Sequence, residues 1–196
     1  MPDPRLTWKE EIWVAQVDQD LEVLTRVDGA LDIERSLPDV RDYLLEFARH
    51  VEWTQTYLRV DIPPLGRVQP GQRLHVWERQ DLRWDKSPLR TIADCAGTDP
   101  TTELGIKAIE DRRLAWRATW IAEDGLLGTF VDWNVVLDPV TQQITRVRLS
   151  GQLGGPRDTL VNWMNLLRAG GYPLDVLQRQ ADRGLHNVRT ILEVGP

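Results

Sequence analysis

Cysteine and histidine are scarce in this sequence, and their scarcity excludes several kinds of site. The 196 residues include one Cys and three His. The lone thiol, Cys95, excludes an internal disulfide and a Cys-based zinc site, and it is typical of a reducing cytoplasm. His50, His75 and His186 are too far apart for a paired metal motif. We therefore expect a cytoplasmic protein with no metal and no cofactor.

Long apolar runs, basic runs and the common catalytic motifs are also missing. The longest uninterrupted apolar stretch is Ile12–Ala15, so no helix is expected to span a bilayer, and the acidic N-terminal region lacks the apolar core of a secretion signal. A net charge of −6 without a basic run argues against nucleic acid as a partner. The Gly-x-Ser-x-Gly elbow, the phosphate loop and the dinucleotide fingerprint are absent.

Tryptophan is what the sequence has in excess. Nine of its residues are Trp, against three Tyr and two Phe. The chain is 41% hydrophobic and 28% charged, so it can build a core and is not expected to be mainly disordered. Its length favours one large domain over two.

The first elements are predicted from short patterns. The region before Asp28-Gly29 fits either a helix, with a Thr7-x-x-Glu10 capping box, or a strand that ends at this hairpin dipeptide. Residues 31–33 alternate as in a strand. The segment Ser36–Asp39 then supplies a cap and an early Pro, so a helix of about three turns is expected to begin near Pro38.

Between residues 57 and 153 the apolar residues recur with a period of two, which indicates strands. The candidate strands are 57–62, 72–80, 89–95, 103–109, 113–121, 127–137 and 143–153.

Turn lengths predict the register of the last four strands. A two-residue turn at Asp124-Gly125 places Trp116 opposite Trp133. Three-residue loops at 110–112 and 140–142 place Ile106 opposite Trp116 and Leu149 opposite Trp133. The four strands then share one apolar face. The other face is predicted to be solvated, with Arg117 and Asp132 as a surface ion pair.

The C-terminal region changes to helical spacing. A helix is predicted over residues 156–168. Apolar residues from Leu174 to Leu192 then recur every three or four positions, which predicts a second helix of about twenty residues, roughly 30 Å long. A ten-residue strand has about the same length, so this helix can lie along the apolar face and cover it.

This order of elements resembles the helix-grip fold of START-related lipid-transfer domains, Bet v 1-like proteins and bacterial polyketide cyclase/dehydrase-type proteins. Leu31–Val40 is similar to the superfamily's strand running into a capped helix, Trp53 follows where such proteins often place a Trp, and Leu177–Glu193 is similar to the terminal helix. The resemblance implies an α+β fold in which a curved antiparallel sheet of about seven strands wraps around a long C-terminal helix. It also implies an N-terminal extension, 1–29, before a single domain, 30–196, and a cavity for an apolar ligand.

The Trp residues on the shared face have two interpretations. Their rings either fill the core or wall a ligand cavity, and one indole can do both. Gly184, inside the terminal helix, is either a tolerated exposed residue or a point of close approach for a strand or ligand. The predicted ligand-binding residues combine the sheet face with the helix opposite it: Trp116, Trp120, Trp133, Ile106, Val131, Leu149, Leu177, Ala181, Gly184 and Leu185.

Binding of an apolar small molecule, such as a lipid, acyl or polyketide-like compound, is the function we expect. A cyclase or dehydratase acting in the same cavity is the first alternative. Its acid or base would come from His75, Glu78 or Tyr57, although alternation favours an outward His75. The second alternative is a protein-interaction module with a filled core. The expected partner is a hydrophobic small-molecule ligand, with no nucleic acid and no membrane span.

Overall fold

Seven strands and three helices form the part of the chain that the computed structural model describes, which is residues 21–54, 56–62, 68–79, 95–121, 129–156 and 176–195. The strands are β1 (Leu21–Ile33), β2 (Tyr57–Asp61), β3 (Arg73–Glu78), β4 (Thr102–Ile109), β5 (Arg113–Trp120), β6 (Phe130–Pro139) and β7 (Thr145–Pro156). The helices are α1 (Leu37–Leu45), α2 (His50–Trp53) and α3 (Val176–Val194), and a 3-10 turn, Phe47–Arg49, precedes α2.

The strands form one curved antiparallel sheet in the order β1-β7-β6-β5-β4-β3-β2. Helix α3 crosses its concave face and buries Leu177, Ala181, Leu185 and Val188, which recur every three or four residues. This period of 3.6 keeps one apolar stripe of the helix against the sheet. The predicted α+β helix-grip arrangement is therefore confirmed. None of the helices that the structure describes is long and apolar enough to span a membrane.

Helix α1 begins where its capping residues predict. The Ser36 hydroxyl accepts a hydrogen bond from the Asp39 backbone N–H at 3.4 Å, and Pro38 lies in the first turn, where its missing N–H costs nothing. Val40, Tyr43 and Leu44 form the buried stripe of the helix. This end of the chain therefore packs onto the sheet as the spacing indicates.

Strand β1 answers the helix-or-strand question for residues 21–30 only. Residues 21–33 form one strand along β7, so the predicted turn at Asp28-Gly29 is wrong: Gly29 pairs with Leu149 in mid-strand. A Cβ on Gly29 would lie 2.8 Å from Cδ1 of Leu185, so this glycine allows α3 to approach β1. The strand also runs through the predicted boundary at residues 29 and 30. Residues 1–20 lie outside the described residues.

The register between β5 and β6 is as predicted, with Trp116 opposite Trp133. Ile106 also lies opposite Trp116, although the hairpin differs from the predicted one. The Glu110 N–H donates to the Arg113 carbonyl at 2.8 Å, which leaves a loop of two residues instead of three. An irregularity between Ile106 and Ala108 adds one residue to β4 and restores the register.

The register between β6 and β7 differs from the prediction by two residues. The Val140 N–H donates to the Ile144 carbonyl at 2.9 Å, which leaves a three-residue loop at 141–143 instead of 140–142, so Leu149 lies opposite Val135, and Trp133 lies opposite Gly151. A shift of two leaves every side chain on its predicted face, because the side-chain period of a strand is two. The predicted Asp124-Gly125 turn, residues 89–94 of one predicted strand and residues 157–168 of the predicted helix lie outside the described residues.

The convex face of the sheet is not solvated at its centre, contrary to the prediction. Asp132, Asn134 and Gln152 are each at most 3% exposed. Arg117 donates two hydrogen bonds to the Asp132 carboxylate, at 2.7 and 2.6 Å, and its guanidinium lies 3.7 Å from the centre of the Phe130 ring. The predicted pair is therefore formed, but as a shielded ion pair in which each charge depends on the other.

Candidate ligand cavity

A cavity of about 60 Å³ lies between the sheet and the N-terminal part of α3. Its walls are mostly apolar, with four indoles and a few polar groups. The lining residues are Trp53, Thr54, Thr56, Tyr57, Glu78, Trp116, Ala118, Trp120, Val131, Trp133, Leu149, Leu177, Gln180 and Ala181. Because protein interiors are close-packed, a void this much larger than a water molecule marks a place where packing is incomplete.

Seven of the ten predicted ligand-binding residues line this cavity: Trp116, Trp120, Trp133, Val131, Leu149, Leu177 and Ala181. The other three do not. Ile106 is 2% exposed and lies opposite Trp116 in the sheet, where it belongs to the packed core. Leu185 packs against Gly29. Gly184 packs against Trp53, and a Cβ added to Gly184 would lie 3.2 Å from Cε3 of the indole. Gly184 therefore admits an aromatic ring close to the helix.

Gly151 determines where the Trp133 ring lies. A Cβ on Gly151 would come within 2.6 Å of Cζ3 of Trp133 and within 2.9 Å of a Val27 methyl group. The indole thus occupies the space that a side chain at position 151 would take. This position extends the aromatic wall of the cavity across β7 towards β1.

Two of the three candidate catalytic residues meet in the cavity. Tyr57 on β2 lies directly opposite Glu78 on β3, and both side chains are buried in the lining. His75 is exposed and is absent from the lining, as alternation along β3 predicts. The structure therefore leaves Tyr57 and Glu78 as the titratable pair in the described lining.

One hydrogen bond joins this pair to the indoles. The Trp120 N–H donates to the Glu78 carboxylate at 3.1 Å. Burial raises the pKa of the Tyr57 hydroxyl well above its usual value, and the negative charge of Glu78 raises the same pKa further. The nearby Trp116 indole N–H lowers the Tyr57 pKa and so offsets part of this rise. It does not form a hydrogen bond of ordinary geometry. Tyr57 consequently keeps its proton near neutral pH and can act as a donor.

His50 supports the cavity wall from behind. It is 1% exposed, stacks on Phe47 with ring centres 4.4 Å apart, and lies 4.9 Å from Trp53 and 5.4 Å from Trp116. Its Nε2–H donates to the Leu44 carbonyl at 2.9 Å. Burial lowers the pKa of His50 to about 4, and the bond to Leu44 opposes that shift. The ring is therefore neutral at pH 7.

The lining residues not predicted from the sequence come mainly from the helical side of the cavity. They are Trp53, Thr54, Thr56, Ala118 and Gln180. Helical spacing carries a signal for one of them, because Gln180 lies three residues after Leu177 and four before Gly184. Trp53 contacts α3 across a long stretch of sequence, and alternation along strands carries no information about that contact.

Within the described residues, no group of three or more His, Cys, Asp or Glu side chains is arranged to hold a metal ion. The chemistry available at the cavity is that of indole N–H groups, hydroxyl groups and one carboxylate. These groups can orient a ligand and exchange a proton with it.

The architecture is shared with solved structures of low sequence identity. The Zhui aromatase/cyclase from a Streptomyces species has 14% identity and a TM-score of 0.56, covering 86% of this chain and 93% of its own. The di-domain aromatase/cyclase StfQ from the steffimycin biosynthetic pathway has 14% identity and a TM-score of 0.59, covering 98% of this chain and 61% of its own. Norcoclaurine synthase from Thalictrum flavum has 11% identity and a TM-score of 0.52, covering 89% of this chain and 90% of its own.

These likenesses define a class of fold. The chain shares the helix-grip fold of these structures, as the sequence resemblance implies. No protein-family model and no curated protein sequence matches the chain. At identities this low the fold is what is shared, so the function has to be argued from the cavity itself.

Proposed function

We propose that this protein binds an apolar small molecule, such as a lipid, acyl or polyketide-like compound, in the cavity between the sheet and α3. The observation that carries the proposal is the aromatic lining: Trp53, Trp116, Trp120 and Trp133 all border one void. Ligand pockets are typically apolar with a small number of placed polar groups. The lining has that composition, since its polar pair of Tyr57 and Glu78 is set among indoles and aliphatic side chains. The void of about 60 Å³ is smaller than the roughly 300–1,000 Å³ of typical ligand pockets, so a ligand has to displace side chains to enter it.

The structural relatives support this proposal. The norcoclaurine synthase structure contains dopamine and hydroxybenzaldehyde, which are small aromatic compounds, and two other relatives are aromatase/cyclases. A helix-grip fold is thus compatible with small aromatic ligands. The lipid and acyl alternatives rest on the apolar lining alone.

Intrinsic Trp fluorescence tests the proposal, because four indoles line the void. We expect a saturable change on titration with at least one member of a panel of lipids, flavonoids and aromatic polyketides, and a bound ligand of matching mass by native mass spectrometry. Ala181→Leu, which adds volume to the cavity wall, is expected to weaken binding at least roughly tenfold. Ala48→Leu, at an exposed position, is the matched control. No saturable response to any compound and no co-purified ligand would contradict the proposal.

A cyclase or dehydratase is the second candidate, and the pairing of Tyr57 with Glu78 is the observation that favours it. A carboxylate beside a protonated phenol offers a base and a donor within one apolar cavity, as proton-transfer chemistry requires. His75 has no part in this proposal because it is exposed.

The two candidates differ in what Glu78→Gln and Tyr57→Phe should do. For an enzyme we expect each variant to lose turnover of a bound polyketide-like ketone while its dissociation constant changes little. For a binding protein the wild type shows no turnover to lose. A protein-interaction module ranks third, because that alternative rested on a filled interior.

A further inference from the structure

Two buried indole N–H groups at the cavity have no acceptor. Trp53 and Trp116 are 5% and 3% exposed, both line the void, and the Nε1 atom of each has no hydrogen-bond partner. Buried polar groups in native proteins are almost always paired, since an unpaired one forfeits the hydrogen bond that it would make to water. Two unpaired donors on the wall of one cavity therefore call for an acceptor inside it.

Ring orientation separates the Trp53 donor from the helix. The Cε3 and Cζ3 atoms of Trp53 face Gly184 on α3, at 3.2 and 3.3 Å from a Cβ added there. The indole N–H lies on the opposite edge of the ring from these atoms. The helix is therefore in contact with these ring carbons, and the indole N–H has no hydrogen-bond partner on the helix or elsewhere among the described residues.

The Trp116 donor lies beside the Tyr57 hydroxyl and lowers its pKa, but the two groups do not form a hydrogen bond of ordinary geometry. Tyr57 keeps its own proton, so it is a third potential donor in the same region. The charged acceptor in the described lining is Glu78, which already receives the Trp120 N–H. The lining also contains the Thr54 and Thr56 hydroxyls and the Gln180 amide, and none of them accepts from Nε1 of Trp53 or Trp116. Donors to a ligand oxygen thus surround one end of the void.

We infer that the indole N–H groups of Trp53 and Trp116 form a subsite for an uncharged oxygen acceptor, so that the cavity selects ligands with a carbonyl group over hydrocarbons of the same shape. This inference rests on the proposed function. A hydrocarbon leaves both donors unpaired, whereas a ketone oxygen accepts two hydrogen bonds with its two lone pairs. An anionic ligand is disfavoured by the negative charge of Glu78 in the same lining.

The test compares acetophenone with α-methylstyrene, in which a CH₂ group replaces the carbonyl oxygen. Their titrations are followed in ¹⁵N–¹H spectra of the indole groups, assigned with Trp53→Phe and Trp116→Phe. We expect acetophenone to bind about 3- to 10-fold more tightly and to move the Trp53 and Trp116 indole signals downfield. The Trp53→Phe/Trp116→Phe double variant is made in a Tyr57→Phe background, so that the third donor is absent, and in it the two ligands should bind equally. Trp77→Phe, which removes an indole outside the cavity lining, should keep the preference for the ketone.

The outcomes separate this inference from the proposed function. Equal binding of the two compounds to the wild type, without downfield shifts at Trp53 and Trp116, overturns the subsite and leaves apolar ligand binding intact. A ketone preference that survives in a folded double variant also overturns it. Failure of the whole ligand panel, these two compounds included, overturns the proposed function itself. If the double variant does not fold, the relative affinities and the indole shifts of the wild type test the subsite on their own.

Discussion

The layer between the sheet and α3 has two halves that are built differently. In the packed half, the side chains are at most 2% exposed and aliphatic: Ile33, Val40, Leu114, Leu137, Val147 and Val188. The cavity half contains the aromatic and polar groups around the void: Trp53, Tyr57, Glu78, Trp116, Trp120 and Trp133. The same sheet and the same helix therefore provide a close-packed core in one half and a lined cavity in the other.

Buried polar atoms without a hydrogen-bond partner are concentrated in the cavity half. Among the described residues, buried side-chain atoms without a partner on the concave side are Nε1 of Trp53 and Trp116, Nδ1 of His50, and the hydroxyls of Thr102 and Thr129. Both threonines neighbour Trp120 across the sheet. All five therefore lie in the cavity half or against it. The cavity half thus retains unused hydrogen-bonding capacity, as a binding site requires.

Truncating one leucine in each half should give the largest effects. We expect Leu114→Ala, in the packed half, to lower the free energy of unfolding by about 4 kcal/mol, since it opens a new void among close-packed side chains. Leu149→Ala, beside the existing cavity, should cost only about 2 kcal/mol because Leu149 has fewer contacts to lose. Urea denaturation measures both. Equal losses of unfolding free energy in the two variants would contradict the division into a packed half and a cavity half.

Acid should weaken the cavity half through His50. Its pKa is about 4 in the folded protein and near 6.5 in the unfolded chain, so the unfolded chain binds more protons between these values. Stability is therefore complete above pH 6.5 and should fall by about 3 kcal/mol as the pH drops to 4. We expect His50→Gln to flatten this part of the pH profile, whereas His75→Gln, at an exposed residue, keeps it. An unchanged slope in His50→Gln would show that other groups cause the loss.

Gly151→Ala should lower the free energy of unfolding by a smaller amount. The added methyl group would meet the Trp133 ring and Val27, so we expect a loss of about 2 kcal/mol by urea denaturation. Gly105→Ala is the matched control, because a Cβ there has no neighbour within 4 Å. Combining Gly151→Ala with Trp133→Leu should cost less than the sum of the two. Additive costs would mean that the two side chains do not compete for space.

Regular spacing made most of the fold predictable from the sequence. The opposition of Trp116 and Trp133 follows from one turn and the period of a strand, and the capping residues of α1 indicate its start. Irregular features were not predictable. The extra residue near Lys107 offsets a shorter hairpin, so the predicted position of Ile106 is correct, while a turn that lies one residue later than predicted, at 141–143, shifts the partner of Leu149 by two positions.

The candidate site was predictable where it lies on strands and on the apolar stripe of α3, which supplies Leu177 and Ala181. Alternation placed Glu78 on the concave face and His75 outside it. Trp53 reaches the cavity through the packing of α2 against α3, and the local pattern that accompanies this contact is Gly184, whose missing side chain makes room for the ring. Contacts between helices distant in sequence depend on tertiary packing, which local patterns do not encode.

The most direct test of the two-halves account is the set of nuclear Overhauser contacts between a bound apolar ligand and the methyl groups of the protein. We predict contacts from the ligand to Ala118, Val131, Leu149, Leu177 and Ala181, which line the cavity, and none to Leu114, Leu137 or Val147 in the packed half. Contacts to the packed half, or a ligand held only at surface methyl groups, would contradict the assignment of the cavity half as the binding site.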